Sequence, residues 1–177
     1  LHEDGLAYRR RMLGEDHPLT INTASELGHD LHALGEVEEA RRLHEDTLAR
    51  ARRVLGENHV WTMGCANGLA SDLCVLGESE AAQQLGEDTL TRARRVLGDE
   101  SHFTMQTANN LAAALLSVGE VEAARRLSAD TLALARRVFG EDHPRTRKAA
   151  GNLAAAQRLL KEAKPAQQGD SDLVEGS

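Results

Sequence analysis

Between residues 27 and 55 the apolar positions keep helical spacing. Leu27, Leu31 and Leu34 run i, i+4, i+7, and Ala40, Leu43, Thr47, Leu48, Ala51, Val54 and Leu55 follow in steps of three and four. Charged residues such as Glu38, Glu39, Arg41, Arg42 and Glu45 fill the positions between. Gly35 separates the two runs. The pattern predicts a first helix over about 18–34 and a second over about 36–54. Gly14 and Gly35 stand where a left-handed C-terminal cap belongs. Pro18 and Pro144 suit the first helical position, where a missing N–H costs nothing. Glu36, Glu78 and Glu120 open the second helices beside the positive dipole end. Arg52-Arg53, Arg94-Arg95 and Arg136-Arg137 close them beside the negative end, as caps and solvated charge.

The same pattern returns along the chain. Leu13-Gly14-Glu15-Asp16-His17-Pro18-Leu19-Thr20 recurs from Leu55, from Leu97 and from Phe139, so the glycines fall at 14, 56, 98 and 140, a period of 42 without insertion. A second glycine series stands at 35, 77 and 119. Leu27, Leu69, Leu111 and Leu153 form one apolar column, and Ala40, Ala82 and Ala124 another. Leu1-His2-Glu3-Asp4-Gly5-Leu6 aligns with Leu43-His44-Glu45-Asp46-Thr47-Leu48. Residues 1–13 therefore read as the second helix of a truncated repeat. Whole repeats span 14–55, 56–97 and 98–139, and 140–161 reads as the first helix of a final half repeat that caps the array. Lys164-Pro165 should break that helix, leaving 162–177 as a disordered tail.

Composition fits this all-helical reading. Ala (27) and Leu (26) dominate 177 residues, and Tyr8, Trp61, Phe103 and Phe139 are the only aromatics, too few for a sandwich or barrel. The formal net charge of −7 argues against a nucleic-acid partner, and no apolar run is long enough to cross a membrane. Cys65 and Cys74 lie nine positions apart in one predicted helix, on opposite faces. They should be free thiols, as a reducing cytoplasm would keep them.

At this point the residues resemble the tetratricopeptide repeat in its 42-residue form with a lengthened second helix, known from kinesin light chains and bacterial multi-repeat proteins. The resemblance rests on Asn109-Asn110-Leu111-Ala112, Gly151-Asn152-Leu153-Ala154, Gly77-Glu78 followed by Ala82, and the Leu-Gly-Glu-Asp-His-Pro turn. It also rests on the small residues Gly28, Ala70, Ala112 and Ala154 after the first-helix leucine. It implies a right-handed superhelical solenoid of antiparallel helix pairs. Three Lys against 18 Arg point to a GC-rich bacterial source, where such arrays resemble the C-terminal sensor part of longer signalling proteins. A start at Leu1, in mid-repeat, fits such an origin.

The resemblance also places a concave groove on the first helices. Its registration puts Asn22, Ser25, His29 and His32 of the first repeat in that groove. It does the same for Asn67, Ser71 and Cys74 of the second, Gln106 and Asn109 of the third, and Lys148 and Arg158 beyond. Gly64, Ala113, Leu116 and Gly151 share these columns. Asn67 and Asn109 have two readings, amides that hold the backbone of an extended protein or peptide ligand, or amides that bridge neighbouring helices. The first three repeats place no Lys or Arg in the groove for a carboxylate clamp. His17, His59 and His143 recur in equivalent turns and read as caps. His29 and His32, with Glu26 nearby, are a weak metal signal. No nucleotide, nucleophile or zinc motif occurs, so no cofactor, no metal and no catalysis are expected. Two functions remain: a non-catalytic binding scaffold, or self-association through the apolar edges of the terminal half repeats (Leu6, Met12 and Leu13; Leu153, Leu159 and Leu160).

Overall fold

The structure, a computed structural model, describes residues 2–171, with side chains through 163. Eight helices follow one another: α1 (His2–Leu13), α2 (Pro18–Leu34), α3 (Val37–Leu55), α4 (Val60–Val75), α5 (Ser79–Leu97), α6 (His102–Ser117), α7 (Val121–Phe139) and α8 (Pro144–Ser171). No strand occurs among the described residues, and no helix among them is long and apolar enough to cross a membrane. The chain is an all-helical solenoid.

Local chemistry sets the helix ends. Gly35 takes φ 85° and ψ 4°, the left-handed cap that a β-carbon would strain, and its N–H bonds back to His32 and Leu31 carbonyls. Gly56 turns differently, at φ 83° and ψ 164°. In the turns that start the first helices, Nδ1 of His17, His59 and His143 accepts the backbone N–H two residues on, each at 3.2 Å. The recurring histidines are therefore N-caps. Both cysteines are free, Cys65 buried and Cys74 half-buried.

Packing follows the small-residue columns. Ala40, Ala82 and Ala124 are buried, as are Ala51, Ala93 and Ala135, so helices approach closely without bulky side chains. Leu48, Leu90 and Leu132 fill the space beside them. The valine column of 54, 96 and 138 is partly exposed and contributes little to this core.

Each helix packs on its neighbour in sequence. Beyond that, α2 touches α4, α4 touches α6 and α6 touches α8, whereas α3, α5 and α7 do not touch one another. Layers that meet on one side only must curve toward that side. The even-numbered helices therefore line the inner face.

The last helix differs from the sequence reading. α8 continues through Pro165 to Ser171, so the expected helix end at Lys161–Lys164 is corrected. A proline in an established helix removes one N–H bond, while each further residue adds one without a new nucleation step. Residues 172–177 of the expected tail lie outside the described residues.

Candidate functional site

The inner face carries a cleft of about 300 Å³ across α2, α4 and α6. Asn22, Ser25, Glu26 and His29 line it from α2, Val60, Trp61, Gly64 and Asn67 from α4, and Phe103 and Gln106 from α6. Trp61 and Phe103 stand one repeat apart near the N-termini of their helices, and both are half-buried. Gly64 lies between them in the chain, and a β-carbon there would meet nothing within 4 Å. The cleft thus has aromatic walls, an open floor and amides at its edge. Such a surface can hold an apolar side chain while satisfying a neighbouring peptide group.

The residues that sequence registration placed in the groove divide into three groups. Asn22 and Gln106 are half-buried at the cleft. Asn22 donates to Glu26 Oε1 at 3.0 Å, and Gln106 Oε1 accepts from Arg145 Nη2 at 3.1 Å. Lys148 and Arg158 are exposed on α8. Lys148 Nζ donates to Asn110 Oδ1 at 2.7 Å, and partial desolvation of its ammonium lowers its pKa. Ser71 and Cys74 are half-buried on α4, with Cys74 Sγ 3.9 Å from Ser117 Oγ.

Ser25, Asn67 and Asn109 are buried. Asn67 Oδ1 accepts from Asn110 Nδ2 at 3.2 Å, and Asn109 Nδ2 donates to the Arg145 carbonyl at 3.4 Å. Both asparagines thus bridge adjacent inner helices, the second of the two readings. Asn109 Oδ1 is buried without a partner.

His29 and His32 belong to a third arrangement. Asp72 of α4 is wholly buried and holds two imidazoles. Its Oδ1 lies 2.6 Å from His32 Nδ1, and its Oδ2 lies 2.6 Å from Nδ1 of the equally buried His44 on α3. A carboxylate can only accept, so both Nδ1 atoms carry hydrogen. The His29 ring packs on the His44 ring with centroids 4.9 Å apart. Burial, then the nearby His44, lowers the His29 pKa. The His44 ring fills a slot between two glycines, and a β-carbon on Gly28 or Gly68 would lie 2.5 Å from its Nε2. The His29–His32 pair is thus tied to a buried carboxylate rather than aimed with Glu26 at a common point. Among the described residues no group of three ligands converges as a metal site would need.

Sequence reasoning missed His44 and Asp72, although the repeat carries their signal. His2 and Asp30 occupy the same two columns one period earlier, 2.5 Å apart. One and two periods later the columns hold Gly86 with Ala114, and Ser128 with Ala156. Both members of the pair change together.

Comparison with known proteins bears on fold and family. No curated protein sequence matches the chain. Two crystal structures of nearly identical TPR-like repeats, from a Podosopora anserina protein named as a kinesin light chain, superpose with TM-scores of 0.76 and 0.74. Each is 24% identical, and the match covers 94% of this chain and 79% of the other. BtubC (BKLC) from P. vanneervenii superposes with a TM-score of 0.70 at 22% identity, over 96% of this chain and 72% of its own. At these identities the likeness shows the fold. Sequence profiles of the tetratricopeptide repeat match residues 19–95 and 104–145. With the 42-residue period, the stacked helix pairs and these matches together, the chain belongs to the tetratricopeptide repeat family.

Proposed function

We propose that the chain is a non-catalytic scaffold that binds an extended segment of a protein or peptide partner along its inner face, at the cleft over Gly64. Tetratricopeptide repeats generally mediate protein–protein interaction. The observation that carries the finer reading is the combination of Trp61 and Phe103 with the open Gly64 floor and the accessible amides of Asn22 and Gln106. Asn67 and Asn109 serve this reading indirectly, by holding the inner helices in register.

Gly64 supplies the test. Gly64→Arg fills the floor without meeting protein atoms, and replacing a mid-helix glycine should keep or raise stability by up to about 1 kcal/mol. Peptides selected from a random display library on the native array should bind this variant at least about tenfold more weakly, while its melting temperature stays level or rises. Selected peptides that bind both forms equally would sink the cleft assignment.

Self-association through the half repeats has less support at the C-terminal end. Arg147 and Gln157 are exposed on α8, in columns where inner layers bury Ile21, Met63 and Met105, and Leu31, Leu73 and Leu115. A polar outer face is what a terminal helix needs to stay in water. Restoring the inner residues, with Arg147→Met and Gln157→Leu together, should raise the mass seen by light scattering above that of the parent. An unchanged mass would mean that these two positions do not guard the face.

A further inference from the structure

The buried imidazole–carboxylate cluster has no role in the cleft reading, and it joins three helices: α2 through His29 and His32, α3 through His44, and α4 through Asp72. We propose that this cluster is an acid-operated joint, which loosens α2, α3 and α4 ahead of α6 and α7 as the pH falls through the histidine range.

The argument is a count of charges and of places to put them. Asp72 already accepts Nδ1–H from His32 and His44, so an added proton must go to an Nε2 atom. The His32 side chain is 29% exposed, and a proton there can meet water while the imidazolium balances Asp72. Nε2 of His44 is fully buried and without a partner, and the glycine slot around it leaves no room for water. A proton on that atom would be a buried N–H with nothing to accept it. His29 adds a third imidazole in ring contact with the second. One carboxylate can balance one proton, and further protons put like charges side by side.

The surrounding groups do not change this balance. α2 also supplies Asp30 and Glu26, but His2 of α1 stands 2.5 Å from Asp30 and 4.0 Å from Glu26, so a fourth histidine accompanies those acids. Asp30 and Asp72 each draw a proton toward His29, yet burial and the neighbouring imidazoles His44 and His32 outweigh them, and the His29 pKa lies below its ordinary value. The sign follows. In the unfolded chain imidazoles fill as the pH drops past about 6.5, while folded His29 fills later. The unfolded or opened state then binds more protons, so stability is fully present above that range and is lost as the pH falls through it. Farther along the array Gly86 with Ala114 and Ser128 with Ala156 replace the pair. The chain thus contains its own acid-insensitive layers.

Amide hydrogen exchange, expressed as protection factors helix by helix, tests the joint on the native chain without any ligand. Between about pH 7.5 and about pH 5.5, protection in α2, α3 and α4 should fall about tenfold more than in α6 and α7. His44→Gly with Asp72→Ala copies the Gly86–Ala114 solution and should remove the difference. His29→Gln with His32→Gln leaves one imidazole for one carboxylate and should remove it too, which keeps the test open if the first variant does not fold. Equal pH dependence in both halves of the native chain, or a difference that persists in either folded variant, would overturn the proposal.

Discussion

Replacing Asp72 by alanine should lower the unfolding free energy by about 3–5 kcal/mol, the range for removing one partner of a buried charged pair. The carboxylate is wholly buried, and its loss strands two imidazole N–H groups at once. His44 suffers most, because its Nε2 already lacks a partner and the Gly28–Gly68 slot admits no water. Urea unfolding at neutral pH measures the loss. Adding His44→Gly to Asp72→Ala should recover much of it, because the double variant repeats what the chain itself uses at Gly86 and Ala114. A double-mutant cycle would then show a coupling of about 1–3 kcal/mol. Independent losses at the two sites would mean that the pair is incidental to the fold.

Leu111→Ala should cost about 2–5 kcal/mol, the range for deleting a buried leucine side chain. Leu111 is 5% exposed and packs in a cluster with Leu90, Ala108, Leu115 and Ala124. Its Cδ1 fills the room left by Gly86, where a β-carbon would stand 3.1 Å away. The glycine cannot close the hole that an alanine would leave, so the upper half of the range is expected. Leu159→Ala, at a position 38% exposed, is the control and should move stability by no more than about 0.5 kcal/mol. Equal melting temperatures for Leu111→Ala and the parent would contradict the register.

The repeat and its helices were legible because they rest on local chemistry copied four times. Gly35, Pro18 and His17 each fix a helix end through their own backbone or side chain, and each recurs at a spacing that needs no tertiary knowledge. The functional face was harder to read. Whether Asn67 meets a ligand or Asn110 depends on how closely α4 and α6 approach, and the two residues are 43 positions apart. An amide column looks the same in either case. His44 and Asp72 were hidden for a related reason. Each alone reads as a solvated residue of an amphipathic helix, and only the joint change of their columns marks them as partners. The end of α8 was misjudged because Pro165 carries a strong local breaking signal, and one lost hydrogen bond is a small term in a helix already formed.

Arg147 and Gln157 also decide where such an array can lengthen. A copied 42-residue block inserted ahead of Gly140 would carry Met105 and Leu115 equivalents into a new interior layer and leave α8 outermost. A block added beyond α8 would have to stack its first apolar helix on a guanidinium and an amide. Duplication from within needs no redesign of either surface, whereas extension at that end needs at least two substitutions before it is of any use.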